Sequence, residues 1–130
     1  MTDEARSEDQ PKVSAMCGIV AALLRSSECK GAVFEQVKTA CKKIQHRGPN
    51  ERTVFCNMKQ NVILGHVRLS INDVANGQQP LFSSNGTYAL VANGEIYNFE
   101  SLKKELDVAH STQSDCETIL TAYLHWGIEA

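Results

Sequence analysis

The segment MCGIVAALL, residues 16–24, sets the plan of this chain, because an apolar run of strand length begins here at a cysteine. A short continuous run of this kind, from Cys17 to Leu24, is typical of a buried strand. After Gly31, a helical repeat runs from Ala32 to Gln45. It places apolar side chains on one face, at Val33, Val37, Ala40, Cys41 and Ile44. The sequence therefore predicts a strand followed by an amphipathic helix.

The middle of the chain is predicted to be sheet. A break follows the helix at residues 46–50, His-Arg-Gly-Pro-Asn, because proline disfavours helical geometry in the residue before it. Thr53–Cys56 and Asn61–His66 are then predicted as two strands joined by a polar turn. Ala89–Ala92 is predicted as a further strand, buried on both faces.

Two helices are predicted toward the end of the chain. Asn98 is placed to cap a short helix that runs through Leu106. Ser114 and Glu117 have the spacing of a capping box, with serine at the N-cap, before a helix that ends at Gly127. Strands and helices in separate runs indicate the α+β class.

The composition is that of an ordinary globular domain. Of 130 residues, 42% are hydrophobic and 22% charged, with a formal net charge of −2, which gives no electrostatic case for nucleic acid. Residues 1–16 form a polar leader that we expect to be disordered, and residues 17–130 form the domain. The leader lacks the pattern of a secretory signal or transit peptide, and no apolar stretch is long enough to span a bilayer. We therefore expect a cytosolic protein without membrane partners.

The five cysteines stand at positions 17, 29, 41, 56 and 116, without a Cys-x-x-Cys pair. Their odd number and wide spacing favour reduced thiols over a disulfide framework or a structural zinc site. Neither His66 nor His125 has a histidine or carboxylate at ligand spacing that would make it a convincing metal site. No metal site is predicted.

Cys17 is the candidate nucleophile. A cysteine that becomes the first residue of a chain carries its own base, because its free α-amino group can accept the thiol proton near neutral pH. Its place directly after Met16 suggests that translation or processing could expose it. The alternative is a small buried cysteine at a strand start, which is the commoner use of this residue.

Three other residues or pairs have both a functional and a structural interpretation. Arg68 could bind a substrate α-carboxylate through its planar guanidinium, or form a surface ion pair. Asn93 and Gly94 could direct two donors at a developing oxyanion, or form a hairpin turn. Asp115 could bind an α-ammonium group, or simply favour the start of the last helix through the helix dipole.

Six motifs in order give the chain a specific resemblance. They are Met16-Cys17-Gly18-Ile19, His46-Arg47-Gly48-Pro49, Gly65-His66-Val67-Arg68-Leu69-Ser70-Ile71, Gly77-Gln78-Gln79-Pro80-Leu81, Asn93-Gly94-Glu95-Ile96-Tyr97-Asn98 and Ser114-Asp115-Cys116-Glu117. From Cys17 onward the chain resembles the glutaminase domain of glutamine-hydrolysing asparagine synthetases. Other class II glutamine amidotransferases share the cysteine, the arginine and Asn-Gly, but not the Arg-Leu-Ser-Ile and Gln-Pro-Leu motifs.

This resemblance implies an N-terminal-nucleophile fold, a four-layer αββα sandwich, that hydrolyses L-glutamine to glutamate and ammonia. Cys17 would attack the side-chain amide, and its α-amino group would serve as base and then as acid. Asn93 and Gly94 would form the oxyanion hole. The remaining glutamine contacts would come from Arg68, Leu69, Ser70, Ile71, Asn72, Glu95 and Asp115.

The resemblance also implies how the domain is used. The glutaminase portion needs no cofactor, whereas ATP and magnesium would serve a synthetase domain, expected in cis, that amidates aspartate with the ammonia. Homodimer formation is left open. Asn50 stands where the family usually has aspartate, which we expect to alter only a turn.

Two departures from the family leave alternatives open. The leader would hold the nitrogen of Cys17 in an amide bond, so the uncleaved chain should be inert. The chain also ends at Ala130, where the family continues, so we expect an open sheet edge and a half-covered apolar face. The alternatives to an asparagine synthetase glutaminase are a catalytically silent interaction protein and the glutaminase domain of another amidotransferase.

Overall fold

The computed structural model describes residues 16–25, 30–57, 59–70, 73 and 75–130. Its elements in chain order are β1 (Gly18–Leu23), α1 (Lys30–Lys43), β2 (Glu51–Asn57), β3 (Val62–Arg68), β4 (Leu81–Phe82), β5 (Ala89–Leu90), α2 (Phe99–Leu106) and α3 (Glu117–Trp126), with a 3₁₀ turn at Gly127–Glu129. Antiparallel strands and separate helices confirm the predicted α+β class. The four-layer sandwich stays a prediction.

The larger sheet places the start of β1 beside the end of β3. Its strand order is β1-β3-β2, and both pairings are antiparallel. Gly18 pairs with Val67 across β1 and β3, and Glu51 pairs with Arg68 across β2 and β3. As a result, Cys17, directly before β1, lies at the same end of the sheet as the last residues of β3.

The main core lies between this sheet and α1. Val37 and Cys41 of the helix pack with Ile63 and Val67 of β3, and all four are buried. Each buried aliphatic side chain of this size contributes about 1.5–3 kcal/mol of transfer free energy. Gly65 permits the close approach, because a Cβ there would overlap the sulfur of Cys41.

The elements predicted for this half of the chain are confirmed. The helix expected at 32–45 is found at 30–43, and its apolar face is the buried one. The strand expected at 17–24 is β1. The strand expected at 53–56 is β2, which is longer at both ends. The strand expected at 61–66 is β3, which begins one residue later and continues to Arg68.

The strand predicted at Ala89–Ala92 is wrong in extent and in burial. Only Ala89 and Leu90 are extended as β5, and β4 is their pairing partner. Ala89 is exposed and Leu90 half-buried, because β5 lies in a two-stranded sheet rather than between two neighbours. A second cluster forms here, where Leu81, Cys116 and Leu120 are buried.

Both predicted helices exist, but their predicted caps do not. Asn98 occupies the N-cap position of α2 without a side-chain hydrogen bond. The capping box is wrong, since α3 begins at Glu117 with Cys116 at the N-cap. The Glu117 carboxylate instead accepts hydrogen bonds from the backbone N–H and hydroxyl groups of Ser111 and Thr112, at 2.6–2.8 Å. The Ser114 N–H, which a capping box would direct at Glu117, donates instead to Thr112 Oγ1 at 3.1 Å. The last helix ends at Gly127 as expected.

The outer face of β1 is apolar and open. Ile19 and Leu23 alternate with the half-buried Val20 and Ala22 and are 47% and 81% exposed. Within the described ranges, no helix combines the length and apolar character needed to cross a bilayer. The leader expected at 1–16 falls outside the described residues except for Met16, and so does Cys29.

Candidate active site

A pocket of about 440 Å³ opens between the edge of the larger sheet and the loop that follows β5. Seven of the predicted site residues line it, namely Cys17, Arg68, Leu69, Asn93, Gly94, Glu95 and Asp115. These residues come from four separate stretches of the chain. The fold therefore brings the candidate nucleophile, the candidate oxyanion donors and the charged residues to one cavity.

Cys17 is held by the residue that follows β3. The backbone N–H of Leu69 donates to Cys17 Sγ at 3.3 Å, and the thiol lies 3.7 Å from the Leu69 carbonyl oxygen. Arg47 Nε donates to the Cys17 carbonyl oxygen at 3.2 Å. Met16, directly before the nucleophile, also lines the pocket. Cys17 is half-buried and lines the cavity. The hydrogen bond from Leu69 holds its sulfur in place.

Arg68 is a buried cation at the pocket wall. Its side chain is 5% exposed, and Nη1 pairs with Glu51 Oε2 at 3.1 Å. Nη2 donates to the Asp73 carbonyl oxygen. Gly77 packs against the guanidinium, because a Cβ there would lie 2.5 Å from Nη2. An ion pair does form, but it is partly buried rather than on the surface, and it fixes the orientation of Arg68.

Of the three predicted glutamine contacts after Leu69, only Ser70 lies within the described residues. Ser70 does not line the pocket, and its N–H donates to Asn50 Oδ1 at 2.9 Å. The Asn50 amide oxygen thus accepts a hydrogen bond that an aspartate oxygen could also accept. Ile71 and Asn72, predicted as glutamine contacts, lie outside the described residues.

Asn93 and Gly94 are exposed on the pocket wall, in the loop between β5 and α2. The hairpin interpretation is wrong, because the chain continues into α2 and not into a strand. On one side of the pair, Gln79 Oε1 accepts the N–H of Ala92 at 2.6 Å. On the other, Cys116 Sγ lies 3.8 Å from the Gly94 carbonyl oxygen and donates to it weakly.

Asp115 holds the far end of the same loop. It is 6% exposed, and its Oδ2 accepts the N–H of Ile96 at 2.7 Å. Asp115 precedes α3 by two residues, so it lies before the helix start and not within its first turn. Glu95 is exposed beside it. The pocket therefore presents carboxylates at the loop and a guanidinium at the sheet, an arrangement complementary to a zwitterionic amino acid.

Two titratable groups near the pocket are kept neutral by burial. Burial, with the nearby negative charge of Asp115, raises the pKa of the Cys116 thiol to about 11. Burial lowers the pKa of His66, and the adjacent Ala92 backbone opposes that effect only in part. Neither ring nitrogen of His66 has a hydrogen-bond partner among the described residues. Those residues also contain no group of three or more histidine, cysteine, aspartate or glutamate side chains placed to hold a metal ion.

Sequence reasoning assigned no role to three residues that shape the site: Gln79, Cys116 and Glu51. Gln79 and Cys116 lie within motifs that carried the resemblance. Each of the three acts through a contact with a residue at least 13 positions away, to Ala92, Gly94 and Arg68 respectively. A motif marks such a residue without indicating what it touches.

Residues 16–130 match the family described as the glutamine amidotransferase domain. The chain belongs to this family, and the resemblance drawn from its six motifs is confirmed. The match includes both sides of the pocket, from Cys17 to Cys116.

Curated relatives include proteins named for glutamine-dependent chemistry. The glutamine-hydrolysing asparagine synthetase 1 of Arabidopsis thaliana is 38% identical over 115 residues, covering 88% of this chain and 19% of that protein. A Bacillus subtilis protein of the same description is 39% identical, covering 88% and 18%. Amidase chry2 of Gibberella zeae is 35% identical, covering 87% and 18%. The chain thus spans about a fifth of the length of these relatives.

Proposed function

We propose that this chain is the glutaminase portion of an asparagine synthetase and hydrolyses L-glutamine to glutamate and ammonia at the pocket around Cys17. The observation that carries the proposal is the placement of Cys17, Asn93 and Gly94 on the walls of one cavity. Nucleophilic acyl transfer needs a nucleophile and oxyanion donors about one carbonyl group apart. The charged residues around them suit the head group of an amino acid.

The reaction starts with attack of the Cys17 sulfur on the side-chain carboxamide carbon of glutamine. The thiol proton passes to the free α-amino group of Cys17 as the carbon–sulfur bond forms. The Asn93 amide and the Gly94 N–H stabilise the negative oxygen of the tetrahedral intermediate. The carbon–nitrogen bond then breaks, and the α-ammonium group returns the proton to the departing ammonia. Water hydrolyses the thioester and releases glutamate.

The substrate's ends are bound by charge. Arg68 takes the α-carboxylate, because its guanidinium is already oriented by Glu51 and lines the pocket. Glu95 and Asp115 take the α-ammonium group. Asp115 uses Oδ2 for the Ile96 N–H, which leaves its second oxygen for this contact.

The proposed chemistry requires that Cys17 be released from Met16. An amide nitrogen has no basic lone pair, so the chain that retains residues 1–16 lacks the proposed base. Met16 also lines the pocket itself. Cleavage or initiation before Cys17 would therefore both create the base and clear that wall.

The relatives' names support a proposal for the wider role of the domain. We propose that the domain adopts the four-layer αββα fold of N-terminal nucleophile hydrolases, without a cofactor of its own. A synthetase domain in cis, with ATP and magnesium, would use the ammonia to convert aspartate to asparagine in the cytosol. The competing proposal is that a molecule other than aspartate accepts the ammonia, because one relative is named an amidase and not an asparagine synthetase.

The test uses the chain with a site-specific protease site that leaves Cys17 as the first residue after cleavage. Ammonia release from glutamine is measured before and after cleavage, in the chain and in Cys17→Ala. We expect activity only in the cleaved chain with Cys17 intact. A cleaved, folded chain that releases no ammonia contradicts the proposal and favours the silent interaction protein.

A further inference from the structure

We propose that Gln79 is a positioning residue for the Asn93–Gly94 pair and acts by fixing the backbone of Ala92. The inference rests on the proposed function, in which that pair stabilises the oxyanion. Gln79 is 6% exposed and lines the same pocket. Its Oε1 accepts the Ala92 N–H at 2.6 Å, a short contact across 13 residues of sequence.

The local backbone explains why this contact is needed. The ladder between β4 and β5 ends at Leu90, so sheet pairing does not extend to Ala92. Asn93 and Gly94 are exposed and belong to no strand or helix. The Gln79 side chain thus supplies the acceptor that a neighbouring strand would otherwise provide, one residue before the oxyanion donors.

The contact beyond the pair is weaker. Cys116 Sγ lies 3.8 Å from the Gly94 carbonyl oxygen, and a thiol is a poor donor. Oxyanion donors must hold their geometry before the charge develops, since reorganisation during the reaction removes their benefit. Loss of the Gln79 contact should therefore lower the turnover rate more than it weakens glutamine binding.

The first measurement does not depend on activity. Amide hydrogen exchange of Ala92 and Asn93 is compared in the full chain, in Gln79→Met and in Gln78→Met. Gln78 is the matched control, because it is the adjacent glutamine and is exposed. We expect exchange at Ala92 to accelerate about tenfold in Gln79→Met alone, the loss of one net hydrogen bond. Unchanged exchange in a folded Gln79→Met chain overturns the proposal.

The second measurement is kinetic and uses the same chains after release of residues 1–16. In Gln79→Met, kcat should fall about tenfold while KM changes less than about twofold. In the Asn93→Ala background, Gln79→Met should lower kcat less than about threefold, because the Asn93 amide that Gln79 helps to position is already absent. Equal costs in both backgrounds, or a rise in KM alone, contradict the positioning role.

A third variant covers the case in which Gln79→Met does not fold. Gln79→Glu keeps a side-chain oxygen at the acceptor position, so Ala92 should remain protected from exchange. Loss of that protection in folded Gln79→Glu counts against the proposal. If the wild-type chain proves inactive, the exchange data still decide the Gln79–Ala92 contact, so failure of the proposed function is distinguishable from failure of this inference.

Discussion

The sulfur of Cys17 lies 3.3 Å from the backbone nitrogen of Leu69, the first residue after β3. The antiparallel register that pairs Gly18 with Val67 brings these two residues together. The position of the nucleophile is therefore set by the sheet and not by a flexible loop. Arg68, the last residue of the same strand, is fixed by the same register.

Asn93→Ala and Arg68→Ala should separate turnover from binding. Without the Asn93 amide, kcat should fall about a hundredfold to a thousandfold with little change in KM, because this donor acts mainly on the transition state. Arg68→Ala should instead raise KM at least about tenfold. Steady-state kinetics of the cleaved chain measure both. Equal effects of the two substitutions on KM would refute the division of roles.

Gly77→Ala should damage the site through Arg68. The added methyl group would lie 2.5 Å from Arg68 Nη2 and 3.0 Å from the Asp73 carbonyl oxygen, so the guanidinium must move. We expect a rise in KM and a loss of about 1–3 kcal/mol in the free energy of unfolding. Gly31→Ala is the matched control, since a Cβ there meets nothing within 4 Å. Wild-type KM in Gly77→Ala would show that Arg68 does not bind substrate in this orientation.

A diazoketone analogue of glutamine should label one thiol. After cleavage before Cys17, we expect alkylation of Cys17, measured by peptide mass spectrometry. Cys116 lines the same pocket but should stay unmodified at neutral pH, because its pKa is raised to about 11 and the thiolate is the reactive form. Cys17→Ala should abolish labelling. Modification of Cys29, Cys41, Cys56 or Cys116 in its place would make the site assignment wrong.

Glu117 should make the stability of the chain depend on pH in the acid range. Burial raises the pKa of this carboxyl, but the hydrogen bonds from Thr112 and Ser111 outweigh it and hold the pKa below its ordinary value. A lowered pKa in the folded state adds stability above the unfolded pKa, and this is lost as pH falls through the folded pKa. Glu117→Gln should therefore cost about 1–3 kcal/mol at pH 7 and progressively less below about pH 4.

Denaturant unfolding at several pH values measures this effect. Glu105→Gln is the control, because Glu105 is exposed on α2. A constant difference between Glu117→Gln and the wild type from pH 7 to pH 3 would contradict the assignment.

The first half of the fold was predictable because its signals are local. An apolar run defines β1, and a 3.6-residue repeat defines the buried face of α1. The β5 prediction failed because the apolar character of residues 89–92 does not reveal how many neighbouring strands exist. The capping box failed in the same way, because the spacing of Ser114 and Glu117 does not show the competing donors at Ser111 and Thr112.

In the site too, the residues marked by local motifs were predictable and the long-range contacts between them were not. The motifs indicated Cys17, Asn93 and Asp115, and the structure brings them to one pocket. The contacts that orient these residues join distant parts of the chain, such as Leu69 with Cys17 and Gln79 with Ala92. The sequence separation of such pairs follows no regular spacing, so these contacts cannot be predicted from the sequence and are seen only in the folded structure.

The most direct test of the central claim combines N-terminal sequencing of the native protein with its glutaminase activity. The account predicts that every preparation that releases ammonia from glutamine contains chains beginning at Cys17, and that activity rises in proportion to their fraction. Ammonia release by a homogeneous preparation in which Met16 is still joined to Cys17 would contradict it.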